Sequence, residues 1–234
     1  LRAYRAANHA FADAVAGLAR LRPDLRILTH DFHLSLMGRS MREAGVAARM
    51  SHIFHVPWPS AAYLEEHIPR EVVRELLESL LANDSVDFFI DSYVSRFLDA
   101  AEKFLGATVD RERKTVTYRN RTTRVRTNPI SVDYDSYRRQ ALAAGPLNLA
   151  FALMKKLDGK QLIVRGERTE LTKGIIEGFK AFRNLLRDRP DLVGKVAFVA
   201  WLIPYRLSAP LYRDFVEEVK TLVRSINREF APDA

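Results

Sequence analysis

A chain of 234 residues, 47% apolar and 28% charged, has the profile of a soluble globular protein with room for one large domain or two small ones. It contains no cysteine, which excludes disulfides, thiolate metal sites and a cysteine nucleophile, so any metal would need His and carboxylate ligands. The formal charge of +8 suits a nucleic acid or a phosphorylated substrate, whereas no apolar run and no leader pattern argues for a membrane or for export, which makes the expected compartment cytoplasmic.

Residues Tyr4 to Leu21 place apolar side chains at helical spacing, and Pro23 is expected to end that helix before a buried strand at Leu25 to Thr29. The polar cluster His30-Asp31-Phe32-His33 stands at the strand's carboxyl end. A helix over Leu34 to Ala44 stops at Gly45, a C-terminal cap, and Ala47 to Phe54 is another strand, again with a histidine, His55, at its end. Pro69 opens a helix carrying Val72, Val73, Leu76, Leu77 and Leu80, followed by a strand at Val86 to Ile90 and a helix at Tyr93 to Leu105. Thr115 to Tyr118 and Thr123 to Arg126 flank Arg119-Asn120-Arg121, which predicts an antiparallel hairpin that decorates the sheet. Pro129 to Asp133 reads as a strand leading into a polar helix, and Ala143-Ala144-Gly145-Pro146 as the best linker. A fresh βαβ unit begins at Gln161 to Val164, with a loop at Arg165 to Thr172, a helix over Lys173 to Leu186 and the apolar strand Val196 to Ile203. A last helix, Pro210 to Phe230, carries Tyr212, Phe215, Val219, Leu222 and Ile226 on one side. The chain opens at Leu1 already inside a helical pattern, which predicts an excerpt of something larger.

Strands alternating with helices predict an α/β protein with a parallel sheet, whose ligands bind at the carboxyl ends of the strands. The histidines fall there. Arg168-Thr169-Glu170-Leu171-Thr172-Lys173-Gly174-Ile175 lies between a strand and a helix, so Arg168, Lys173 and the helix N-terminus face one space, an arrangement that suits a diphosphate. Arg206, after the next strand, adds a third cation at the same sheet edge. The set His30, Asp31, His33, His52 and His55 could in principle ligate a metal, but hydrogen bonding of Asp31 and His55 to sugar hydroxyls fits the strand-end positions better. The basic hairpin, with Arg111, Arg113, Lys114, Arg119, Arg121, Arg124 and Arg126, is the strongest feature for nucleic acid, with a solvated ribbon face as the leading reading.

Taken in order, His30-Asp31-Phe32-His33, Phe54-His55-Val56-Pro57-Trp58-Pro59-Ser60, Arg168 with Thr172-Lys173-Gly174-Ile175, Arg206, and Ile226-Asn227-Arg228-Glu229-Phe230 resemble the trehalose-6-phosphate synthase family over nearly the whole chain. That resemblance implies the GT-B fold, two Rossmann-like doubly wound domains. Residues 1–145 would be the C-terminal part of the N-terminal, acceptor-side domain with its hairpin near 109–126, and 146–234 the first part of the C-terminal, nucleotide-donor domain. It implies a retaining glycosyltransferase that moves glucose from a UDP- or GDP-sugar to a sugar-phosphate acceptor, with no cofactor and no metal. Arg168 and Lys173 would bind the donor diphosphate, Arg206 the acceptor phosphate, and Asp31 and His55 the sugars; Arg168, Lys173, Asp31 and His55 would carry catalysis.

The stretch His55-x-Pro57-Trp58-Pro59-Ser60-Ala61-x-Tyr63 and Arg168-Thr169 also resemble pseudo-glycosyltransferases of the validoxylamine-phosphate-synthase kind, which join a nucleotide-activated cyclitol to an amino-cyclitol phosphate. The family's N-terminal glycine-containing loop and C-terminal ribose-binding region have no counterpart here, so this excerpt alone is expected to be inactive. A homo-oligomer is compatible with the sequence.

Overall fold

The computed structural model describes residues 1–22 and 24–230, so Pro23 lies outside the described residues. The chain divides into two compact units, Leu1–Val132 and Asp133–Ala234.

In the first unit α1 (Arg2–Leu21) leads into β1 (Arg26–His30), and a 3-10 turn at Phe32–Leu34 precedes α2 (Met37–Glu43) and β2 (Arg49–Ile53). Then come α3 (Ala61–His67), α4 (Arg70–Leu80), β3 (Ser85–Phe88), α5 (Asp91–Leu105), β4 (Thr108–Asp110), β5 (Thr115–Tyr118) and β6 (Arg121–Thr127). The sheet order is β1-β2-β3-β6-β5-β4, with β1, β2, β3 and β6 parallel and β5 antiparallel to its neighbours β6 and β4. The hairpin expected as a decoration is therefore built into the sheet: β6 pairs with β3 from Ser85↔Arg124 to Phe88↔Thr127. Its two-residue turn, Arg119-Asn120, has φ of 47° and 62°, the left-handed pair whose twist matches that of the flanking strands.

Burial alternates along β2 and β6, whereas all four residues of the central β3 are buried. Val86, Phe88, Val116 and Val125 pack with Val73, Leu77 and Leu80 of α4 and Val94, Phe97 and Phe104 of α5. Ile27 and Met50 pack with Ala12 and Ala16 of α1 and Met37 and Met41 of α2. Where α2 meets α4, Gly38 is needed for the approach: a Cβ there would stand 2.3 Å from the Ser79 carbonyl oxygen. Asp87, on the other face of β3, has a side chain only 2% exposed and accepts both Nε (2.9 Å) and Nη2 (2.7 Å) of Arg126.

The second unit holds α6 (Tyr134–Ala141), α7 (Ala144–Leu157), β7 (Gln161–Arg168), a 3-10 turn at Leu171–Lys173, α8 (Ile175–Asp188), a 3-10 turn at Pro190–Leu192, β8 (Val196–Ile203) and α9 (Pro210–Phe230). Parallel β7 and β8 pair from Gln161↔Val196 to Arg168↔Ile203. Phe198, Ala200 and Leu202 of β8 pack on Ile175, Ile176 and Phe179 of α8 and on Phe215, Val219 and Ile226 of α9. Glu229 ties the end of α9 to α8 by accepting from Arg183 Nε (2.6 Å) and Arg187 Nε (2.7 Å).

Three expectations need correction. Ala143 to Pro146 is not a linker but the start of α7, because proline in a helix's first turn has no N–H that the helix would use. Pro129 to Asp133 forms no strand; Asp133 instead caps α6, its Oδ1 accepting from Ser136 N–H at 2.9 Å. Arg165 to Arg168 belong to β7 rather than to a loop, because the apolar run of β8 carries the ladder past the charged residues beside it.

Candidate functional site

Both units bring candidate residues to the carboxyl edge of parallel strands, where a parallel sheet leaves a crevice open. In the first unit these are His30, the last residue of β1, then Asp31, and His55 just beyond β2. The Asp31 N–H donates to the Ile53 carbonyl (2.7 Å), so the two strand ends are tied together. Asp31 has φ 64° and ψ 173°, a conformation disfavoured for any residue with a Cβ and costing about 1–3 kcal/mol. Its Oδ1 is buried without a hydrogen-bond partner, and Oδ2 lies 3.9 Å from His33 Nδ1. The unpartnered carboxylate oxygen has free capacity to accept a hydrogen bond.

His55 is held on two sides. Its Nε2 is 2.8 Å from His30 Nδ1 with the two rings stacked at 5.1 Å, and Phe89 meets it edge-on at 5.2 Å. His30 was not singled out as His55's partner in the sequence, since nothing in the spacing tells that two strand ends will bring those rings together. His52 belongs to the core instead: it is fully buried, its Nδ1 is 2.7 Å from Thr29 Oγ1, and burial pushes its pKa down to about 4, with the Asp31 carboxylate opposing. It is neutral at pH 7. Among the described residues, no group of three His, Asp or Glu side chains is placed to hold a metal ion.

In the second unit Thr169 closes the edge of the sheet, its N–H (2.8 Å) and Oγ1 (3.0 Å) both donating to the Ile203 carbonyl. Beyond that closure Arg168 lies over the Tyr205 ring at 4.5 Å and Arg206 over the same ring at 5.0 Å, so two of the three expected cations share one aromatic ring. Tyr205, and after it Tyr212, raise the pKa of Arg206, which stays charged at any working pH. Arg206 itself has φ 49°, in the left-handed region that residues with a Cβ seldom adopt. Glu170 accepts from Arg168 Nη2 at 3.1 Å. Lys173, exposed, ends the 3-10 turn, and Gly174, at φ 60°, opens α8, whose first N–H groups need a partner from outside the helix. Nothing in the sequence pattern shows that the Tyr205 ring is shared by Arg168 and Arg206, since the two arginines come from the ends of different strands.

Most cations of the basic hairpin are ion-paired. Arg111 pairs with Asp99 (2.8 Å) and Glu102 (2.7 Å), Lys114 with Asp91 (2.6 Å), Arg119 with Glu78 (3.1 Å), Arg121 with Asp84 (2.7 Å) and Arg126 with Asp87 (2.7 Å). These cations tie the hairpin to the acidic groups around it. Among the described residues, no helix is long and apolar enough to cross a membrane.

The profile described as glycosyltransferase family 20 matches residues 1–234. A bifunctional trehalose-6-phosphate synthase/phosphatase of Thermoproteus tenax is 31% identical over 228 residues, 97% of this chain and 30% of the relative. A validamine 7-phosphate valienyltransferase of Streptomyces hygroscopicus subsp. jinggangensis is 30% identical over 224 residues, 95% of this chain and 44% of the relative. The crystal structure of a UDP-forming alpha,alpha-trehalose-phosphate synthase from Burkholderia xenovorans in complex with glucose-6-phosphate superposes with a TM-score of 0.80 at 28% identity, covering 97% of this chain and 49% of that one. The chain thus spans between 30% and 49% of the length of these three proteins, and the α/β fold is that of the GT-B synthases.

Proposed function

Because the chain belongs to glycosyltransferase family 20, we propose that it contributes donor and acceptor contacts to a retaining transferase that moves glucose from UDP-glucose to glucose 6-phosphate. The observation that carries this reading is the pair of guanidiniums, Arg168 at the end of β7 and Arg206 beyond β8, that share the Tyr205 ring.

The reaction breaks the bond between the sugar's anomeric carbon and the diphosphate, and the nucleotide leaves with the electron pair. A bond forms to an acceptor hydroxyl oxygen, whose proton passes to the departing phosphate. Negative charge grows on the leaving group, and fixed cations with a helix N-terminus stabilise that charge more than they stabilise the bound substrate. Arg168 and Lys173 take this role. Arg206 holds the acceptor's phosphate, at a distance from the reacting carbon that makes it a positioning group. Asp31 accepts from a sugar hydroxyl through its unpartnered Oδ1, and His55, fixed by His30, holds the donor sugar through its remaining ring nitrogen. No pair of carboxylates is asked to act as acid and base.

The likeness to a validamine 7-phosphate valienyltransferase favours a second reading, in which an activated cyclitol and an amino-cyclitol phosphate replace the two sugars at the same cations. Release of UDP is measured with UDP-glucose and glucose 6-phosphate in the complete enzyme carrying this chain, with and without Lys173→Ala. One preorganised contact to developing charge is worth about 3 kcal/mol, so the variant should lose turnover by roughly two orders of magnitude while keeping its fold. Turnover unchanged by Lys173→Ala refutes the role, and no UDP release by the unaltered enzyme favours the cyclitol reading.

A further inference from the structure

The loop that carries Lys173 has a brace behind it. Arg165, on β7, points its guanidinium under the start of α8: Nη1 donates to the Gly174 carbonyl at 3.1 Å and Nη2 donates to the Lys173 carbonyl. Glu167, two residues along the strand, lies 3.8 Å from Nη2. The Arg165 side chain is only 18% exposed, so the charge is committed to this contact rather than to solvent. Room for it exists because position 178 is glycine, for a Cβ on Gly178 would stand 2.4 Å from Arg165 Nη1.

In a trans peptide the N–H points opposite to the C=O. Holding the Lys173 and Gly174 carbonyls toward Arg165 therefore turns the following N–H groups, those of Gly174 and Ile175, away from the strand. We propose that Arg165 is the positioning residue that preorganises the Lys173–Gly174 turn for a diphosphate, and that Gly178 is the gap in α8 that admits it. This rests on the diphosphate reading of Arg168 and Lys173 and adds what keeps that site in shape before the ligand arrives. A planar fork with two donors suits two neighbouring carbonyls; a lysine in its place could serve only one at a time. The brace also explains a glycine inside a helix, where alanine is otherwise favoured.

The test is a double-mutant cycle on Arg165→Met and Gly178→Ala, with binding of pyrophosphate and of UDP-glucose measured by calorimetry at fixed salt and thermal midpoints measured alongside. Arg165→Met also removes a positive charge, so the neutral Gly178→Ala is the decisive arm. The expected result is that Gly178→Ala weakens both probes roughly tenfold, the worth of one well-placed hydrogen bond, without lowering the midpoint. Combining it with Arg165→Met should cost no more than Arg165→Met alone, since the alanine then has nothing to displace. Arg165→Lys, which keeps the charge, should recover only part of the loss. Unaltered affinity in Gly178→Ala, or losses that simply add in the double variant, would overturn the proposal while leaving the diphosphate site standing. If the unsubstituted chain binds neither probe, the diphosphate reading fails and the proposal falls with it.

Discussion

Acid should destabilise the first unit through a single buried ring. His52 is enclosed, hydrogen-bonded at Nδ1 to Thr29, and stays neutral down to about pH 4 because burial disfavours its charged form. An unfolded chain takes up that proton near pH 6.5. Above pH 6.5 neither state is protonated, so the group contributes no pH dependence. Between 6.5 and about 4 the unfolded state binds the extra proton, and stability falls as pH falls; below 4 both states carry the proton and the loss levels off. A shift from 6.5 to about 4 corresponds to a full loss of about 3 kcal/mol, a large fraction of a typical domain's stability. The assay is urea unfolding followed by the fluorescence of Trp58, which packs on Phe54, itself 4.8 Å from the His52 ring, in a Trp201→Phe background. Wild type and His52→Met should have different slopes of stability against pH between 6.5 and 4 and parallel slopes above 7. Parallel curves throughout, or a His52 ring that titrates near 6.5 by NMR in the folded chain, would refute the assignment.

Other consequences follow from single contacts. Gly38→Ala should destabilise the first unit by about 1–3 kcal/mol in the same unfolding assay, because backbone oxygen rather than a flexible tip occupies the space its Cβ needs. Arg126→Met leaves the Asp87 carboxylate without its bidentate partner; since Arg126 is half exposed and water can follow it out, the expected cost is about 1–3 kcal/mol rather than the full penalty of a buried orphan charge.

What the sequence disclosed depended on how strongly local pattern and global packing agreed. β8 and α9 have the bounds expected from the apolar run Val196 to Ile203 and from the one-sided helix Pro210 to Phe230, because each pattern has one period and a clear start. α3 went unread. Pro57 and Pro59 mask a seven-residue helix whose signal is Ser60, the N-cap that accepts from Tyr63 N–H at 3.2 Å. α7 was hidden by Gly145-Pro146, read as punctuation when it lies in a first turn. At the candidate site, Asp31, His55, Arg168, Lys173 and Arg206 could be named because strand ends could be counted and the family motifs are contiguous. The contacts of His30, Tyr205 and Arg165 were not legible in the sequence, since each touches a group brought to it by another strand or turn.

The central claim is that the carboxyl edge of β7 and β8 is a site for phosphoryl oxygens. Side-chain NMR of the labelled chain, following the Arg168 and Arg206 Nε–H and the Lys173 Nζ signals during titration with pyrophosphate and then with glucose 6-phosphate, tests it most directly. The account predicts that pyrophosphate moves Arg168, Lys173 and the first amides of α8 with one shared dissociation constant, and that glucose 6-phosphate moves Arg206. Signals that stay still, or that shift no more than those of Arg124 on the hairpin, would contradict it.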